Sequence, residues 1–139
     1  TDGAENASLD AFPGKNIVIY FYPKDDTPGC TKESIAFTEM GAEFEKSNTV
    51  IVGVSKDTVA KHAKFREKHN LGVVLASDEC GAMIERYGAW VEKNMYGRKY
   101  MGIERCTYLI DASGIVREIW RKVKVKGHVD AVLEAVKTL

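Results

Sequence analysis

Uninterrupted apolar runs alternate along this chain with stretches that are apolar on one helical face. Asn16-Ile17-Val18-Ile19-Tyr20-Phe21-Tyr22 is almost continuously apolar and β-favouring, as in a strand buried on both faces. Thr49 to Ser55 is a second such run, and Val73-Val74-Leu75-Ala76, ended by Ser77-Asp78, is a third. Between the first two, Phe37, Met40, Gly41 and Phe44 recur at i, i+3, i+4 and i+7, which predicts one helix from near Cys30 to about Lys46. Asp57 or Thr58 can cap a second helix reaching about His69. A short helix from roughly Cys80 to Tyr87 is stopped by Gly88.

Past this point the pattern weakens. Trp90 to Tyr100 is polar and reads as irregular, with a turn at Tyr96-Gly97. Cys106 to Ile110 and Ile115 to Trp120 flank Asp111-Ala112-Ser113-Gly114, the signature of a β-hairpin. Arg121-Lys122-Val123-Lys124-Val125-Lys126 alternates lysine with valine and reads as a solvated edge strand, since lysines blunt edge pairing. Gly127 introduces a last helix with an apolar stripe of Val129, Val132, Leu133 and Val136. No internal repeat interrupts the chain.

The predicted order is β-α-β-α-β-α-β-β-α. Such alternation implies a largely parallel sheet with helices on both faces, closed by antiparallel strands. Ligands of such sheets gather at the carboxyl ends of the parallel strands. Cys30, Ser55 and Ser77-Asp78 all follow strand ends and share that rim. An antiparallel strand beginning near Arg105 starts at the same rim, which brings Arg105 toward Cys30 across 75 residues of sequence.

Composition narrows the function classes. The 139 residues suit one domain spanning the chain. Twenty basic and twenty acidic residues cancel, which argues against nucleic acid as a partner. The longest apolar run is far shorter than a membrane span, and no signal peptide is visible. Thr1-Asp2-Gly3-Ala4-Glu5-Asn6 reads as a loop, consistent with a trimmed N-terminus. Three cysteines do not make a secreted disulfide framework, so a reducing cytoplasm is expected. His62, His69 and His128 are scattered on helices without metal spacing and read as surface residues; no metal or cofactor is expected.

Cys30 is the candidate reactive group. It follows an aromatic strand and a Pro-rich turn, and it falls in the first turn of the predicted helix. There, free backbone N–H groups and the helix dipole favour a thiolate, the nucleophilic form. The competing reading is a small buried hydrophobe. Glu33, three residues on, either helps orient the loop or is a first-turn partner of the dipole, the second being the favoured reading.

Pro23-x-x-x-Thr27-x-x-Cys30, with the distant Gly102-Ile103-Glu104-Arg105, resembles the peroxiredoxin family. The wording from Tyr22 to Glu33 is similar to its bacterioferritin comigratory protein, or peroxiredoxin Q, subgroup. The resemblance runs from Gly14 to the C-terminal helix. It implies a thioredoxin-like α/β fold, a three-layer sandwich around a mixed sheet, and reduction of hydrogen peroxide and organic hydroperoxides without metal or haem. It further implies that the Cys30 thiolate attacks the peroxide and becomes a sulfenic acid. Arg105 would supply a fixed positive charge, or else form an ordinary ion pair with Glu104 or Asp111. Thr27 would hydrogen-bond the thiolate and the peroxide, or serve only the turn. Pro23 would shield the sulfur, and the N–H groups of Gly29 and Cys30 would bind the substrate oxygen.

The chain departs from that pattern in one respect. Many relatives place a second cysteine five positions after the first, where this sequence has Ile35. Others place it on the next helix, which here has none. Cys80 lies on the active-site rim two strands away, at ~10 Å laterally, beyond the about 7 Å a disulfide allows without local unwinding. Cys106 adjoins Arg105 and alternation turns it away from the pocket. The leading expectation is a one-cysteine cycle in a monomer, with an external thiol such as thioredoxin, glutaredoxin or a small thiol as reductant. The alternatives are Cys80 as resolving cysteine, or a peroxide sensor without turnover. A thioredoxin-type oxidoreductase is disfavoured, because Glu33 stands where Cys-x-x-Cys requires cysteine.

Overall fold

The computed structural model describes residues 14–139; the N-terminal loop expected over residues 1–6 lies outside the described residues. The first apolar run forms β1 (Asn16–Phe21), followed by α1 (Pro28–Glu39) and α2 (Gly41–Lys46). Then come β2 (Thr49–Ser55), α3 (Val59–His69), β3 (Val74–Ser77) and α4 (Ala82–Arg86). The chain closes with β4 (Trp90–Met95), β5 (Arg98–Ile103), β6 (Cys106–Ile110), β7 (Val116–Trp120) and α5 (His128–Lys137). Five strands form one mixed sheet in the order β3-β2-β1-β6-β7. β1, β2 and β3 are parallel, while β6 is antiparallel to both β1 and β7.

Two apolar layers cover the sheet. On one face Val18, Tyr20, Ile51, Leu75 and Leu109 meet Phe37 of α1, Phe44 of α2, Phe65 of α3 and the Val129, Val132, Leu133, Val136 stripe of α5. On the other, Ile17, Ile19, Phe21, Val52, Val54 and Ile110 meet Ile84 of α4 and Ile103 of β5. The alternation along β1 between the two clusters explains why that strand is apolar throughout. The three-layer α/β sandwich expected from the sequence is therefore observed. Gly53 has a specific reason to be glycine: a Cβ there would fall 2.6 Å from Tyr20 Cζ, so the Tyr20 ring lies directly on the β2 backbone. The Tyr20 hydroxyl then bonds Ser34 on α1 at 2.8 Å.

Three expectations are corrected. The helix predicted to run unbroken to Lys46 is two helices, broken at Met40, which caps both. Trp90 to Tyr100 is not irregular: β4 and β5 pair as an antiparallel hairpin. Tyr96 and Gly97 both take positive φ, +53° and +79°, the requirement of a two-residue type I′ turn. Arg121 to Lys126 is not a strand. Lys122 has φ +48°, and Val123 N–H returns to the Arg105 carbonyl at 2.9 Å. Among the described residues no helix is long and apolar enough to cross a membrane.

Candidate active site

Cys30 sits where β1 hands over to α1. Thr27 is the extended N-cap, Pro28 fills the first helical position, and no side chain caps the helix. Proline there has no N–H to leave unpaired. The next two N–H groups, of Gly29 and Cys30, belong to the first turn, which has no carbonyl partners within its own helix. Thr31 N–H bonds the Thr27 carbonyl at 2.8 Å and closes the first turn. Cys30 is 1% exposed and joins the cluster of Tyr20, Tyr22 and Phe37.

Arg105 reaches this turn from the opposite strand. The antiparallel register places Cys106 against Phe21, so Arg105 enters at the carboxyl end of β1, as the topology requires. Its Nη2 donates to Cys30 Sγ at 3.2 Å, and its Nη1 donates to Glu33 Oε1 at 2.7 Å. The ion pair that Arg105 makes is thus with Glu33, rather than with Glu104 or Asp111. A Cβ on Gly29 would come within 3.2 Å of Nη2, so the glycine is what lets the guanidinium lie against the helix turn. Burial works against the charge of Arg105, but Cys30 and Glu33 outweigh it and leave the group above its usual range.

Glu33, favoured from the sequence as a first-turn dipole partner, is a fully buried carboxylate bonded to Arg105. Residues 30 and 33 share a helix face, so cysteine, arginine and glutamate form one line. Burial raises Glu33 to about 7, against the opposing pull of Arg105. Its Oε2 is buried with no hydrogen-bond partner among the described residues, an uncompensated acceptor that favours the protonated acid. His128 lies behind this group: burial, and then the charge of Arg105, lowers it to about 4. Its Nε2 bonds the Thr107 hydroxyl at 2.7 Å.

The remaining predicted residues sit as follows. The Thr27 hydroxyl donates to the Lys24 carbonyl at 2.9 Å, and among the described residues it makes no bond to the sulfur. Pro23 is exposed at the start of the loop. Cys80 is exposed in the turn after β3, its thiol 3.9 Å from Asp78 Oδ1. Cys106 lies on the far face of the sheet from Cys30, and burial pushes its thiol up to about 12. All three cysteines are free.

His62 and His128 are corrected from surface to buried positions. His62 on α3 faces Asp25 Oδ2 with Nδ1 at 2.7 Å and donates from Nε2 to the Ala76 carbonyl at 3.1 Å. Asp25 also accepts from the Tyr22 hydroxyl at 2.5 Å, and its N–H donates to Asp57 Oδ2 at 2.7 Å. This network fastens the loop before Thr27 to the ends of β2 and β3. Asp25, Asp57 and His62 are close enough to surround a cation, but their ligand atoms are already spent on one another, Tyr22 and Ser55. No sequence signal joins Asp25 to His62, whereas the i, i+3 spacing of Cys30 and Glu33 was available to be read.

The mixed five-stranded sheet with helices on both faces is a thioredoxin-like fold, and the comparisons place it among enzymes of one class. The AhpC/TSA family matches residues 1–119. A putative peroxiredoxin bcp of Coxiella burnetii is 49% identical, over 96% of this chain and 88% of its own. Peroxiredoxin Bcp of Bacillus subtilis is 46% identical over 99% of this chain and 88% of its own. Among solved structures, Xanthomonas campestris Peroxiredoxin Q is similar with a TM-score of 0.92 at 46% identity, covering 99% of this chain and 87% of that one. The chain belongs to the AhpC/TSA family, and within it to the peroxiredoxins of the Bcp, or peroxiredoxin Q, type.

Proposed function

We propose that Cys30 is the peroxidatic nucleophile of a one-cysteine cycle, with Arg105 as its cationic partner. The coarser activity, a thiol-dependent peroxidase, follows from membership of the family. The observation that carries the finer reading is the forked contact of Arg105 to Cys30 Sγ and Glu33 Oε1. A guanidinium at 3.2 Å neutralises a thiolate and stays in place as charge moves onto the peroxide oxygens.

In the step proposed, the thiolate attacks one peroxide oxygen. An S–O bond forms, the O–O bond breaks, and the other oxygen leaves as hydroxide or alkoxide that takes up a proton. The sulfur becomes a sulfenic acid. Thr27 suits the substrate: with its proton committed to Lys24, its free lone pairs accept a hydrogen bond from the hydroperoxide O–H. The N–H groups of Gly29 and Cys30 face the developing negative charge. Alkyl hydroperoxides are proposed alongside hydrogen peroxide, because the alkyl peroxide reduction activity of Xanthomonas campestris bacterioferritin comigratory protein has been studied on a similar structure.

The sulfenic acid is then reduced by an external thiol. Cys106 is on the wrong face, and Cys80 follows β3, two strands from β1. Peroxide consumption with dithiothreitol as reductant tests this reading. Sustained turnover lost in Cys30→Ser and retained in Cys80→Ser is expected. Turnover that needs both cysteines would overturn the one-cysteine cycle, and a single oxidation without turnover would favour a sensor.

A further inference from the structure

Ser55 and Ser77 end β2 and β3 on the active-site rim, and both donate to Asp57. Asp57 lies just past β2 and is 9% exposed. Capping of α3 falls to Thr58, whose side chain accepts from the Lys61 N–H, so the Asp57 carboxylate is not spent on that helix. Ser55 Oγ donates to Asp57 Oδ2 at 2.8 Å, and Ser77 Oγ donates to the Asp57 carbonyl at 2.6 Å. Two strands therefore fix this carboxylate before it meets the active-site loop. There Oδ2 accepts from the Asp25 N–H at 2.7 Å.

That N–H belongs to the peptide unit whose carbonyl is that of Lys24. A trans peptide is planar, with its N–H and C=O pointing opposite ways, and the described residues contain no cis bond. Anchoring the nitrogen on Asp57 therefore aims the carbonyl away from it, and that carbonyl accepts from the Thr27 hydroxyl at 2.9 Å. The bend between them has Asp26 at φ +58°, a conformation that few non-glycine residues hold. Lys68 and His69 of α3 pair its carboxylate at 2.7 and 2.8 Å. We propose that Asp57 is a positioning residue of the peroxidase. Through the peptide between Lys24 and Asp25 it fixes where the Thr27 proton goes, and so leaves the Thr27 lone pairs open to the hydroperoxide. The carboxylate also polarises that peptide, which strengthens the carbonyl as an acceptor. The inference rests on Thr27 as the acceptor of the hydroperoxide O–H.

The test is the rate of Cys30 oxidation by tert-butyl hydroperoxide in the full chain carrying Cys80→Ser. Alkylation of Cys30 by iodoacetamide, which brings no hydroperoxide O–H to Thr27, is measured beside it. Asp57→Ala should slow oxidation about tenfold, the weight of one hydrogen bond, and leave alkylation unchanged. On top of Thr27→Val the same change should slow oxidation by less than about twofold, because two residues acting through one group are not additive. Asp57→Asn keeps an acceptor oxygen and should restore most of the rate. Ser55→Ala removes one anchor of the carboxylate and carries the same comparison if Asp57→Ala does not fold, with a loss of about threefold expected. An unchanged oxidation rate, an equal loss with and without the Thr27 hydroxyl, or faster alkylation of Cys30 would overturn the proposal, the last because it marks a loosened α1. A Thr27→Val protein that is oxidised as fast as the original would instead refute the role of Thr27 on which it rests.

Discussion

At the scale of single residues, Arg105 does two things that a point charge cannot. Its planar fork bonds a sulfur with one nitrogen and a carboxylate with the other. Lysine keeps the charge but loses the fork. Arg105→Lys should therefore lower kcat/KM for hydroperoxide by ~10²-fold, the order seen when one preorganised donor is removed; stopped-flow oxidation of Cys30 measures it. Loss below twofold would mean that charge alone suffices. The three thiols should also separate by accessibility. With Cys106 pushed up to about 12 and buried, and Cys80 exposed, brief alkylation of the folded protein should label Cys80 and spare Cys106. Peptide mass mapping reads the result. Cys30 and Arg105 were legible in the sequence because each sits at an element boundary on one rim. The role of Glu33 was not, since a first-turn glutamate is usually a solvated dipole partner and only the position of Arg105 reveals its burial.

At the scale of elements, continuous apolar runs told the truth and polar runs misled. β1, β2 and β3 are covered on both faces, and their composition shows it. β4 and β5 form a separate two-stranded sheet with much of their surface exposed, so neither apolar continuity nor clean alternation marked them. The turn was visible at Tyr96-Gly97, but the pairing it closes was not. The lysine-valine alternation after Trp120 had the reverse fault, since it mimics a strand that the return of Val123 to Arg105 prevents. The contact of Gly53 with Tyr20 gives a test at this scale. Gly53→Ala places a methyl 2.6 Å from the ring. Tyr20 is fixed by Ser34 and stacked on Phe37, so it cannot retreat cheaply. A loss of about 1–3 kcal/mol is expected from overpacking, measured by urea unfolding. An unchanged midpoint would show that the ring yields.

At the scale of the whole molecule, two buried groups near Arg105 set opposing pH dependences. Glu33 rises to about 7 on folding, so the folded protein holds a proton that the unfolded chain has lost. Its contribution is complete below the unfolded value near 4.5 and disappears as pH rises through about 7. His128 falls to about 4, so its contribution is present above about 6.5 and disappears as pH falls through about 4. Across the overlap the two slopes oppose one another. Glu33→Gln should therefore expose a stability that rises from pH 4.5 to 6.5, and His128→Asn one that falls. Urea midpoints at several pH values decide it, and flat profiles in both variants would contradict these assignments. Neither group could be placed from sequence, because their shared neighbour Arg105 is joined to them only by the sheet's closure.

The central claim is that Cys30 alone carries the chemistry. Adding one equivalent of hydroperoxide to the reduced protein and taking its intact mass tests this directly, with Cys30→Ser and Cys80→Ser alongside. The account predicts the gain of one oxygen, absent from Cys30→Ser and kept in Cys80→Ser. A loss of two hydrogens that requires both cysteines would contradict it and make Cys80 the resolving residue.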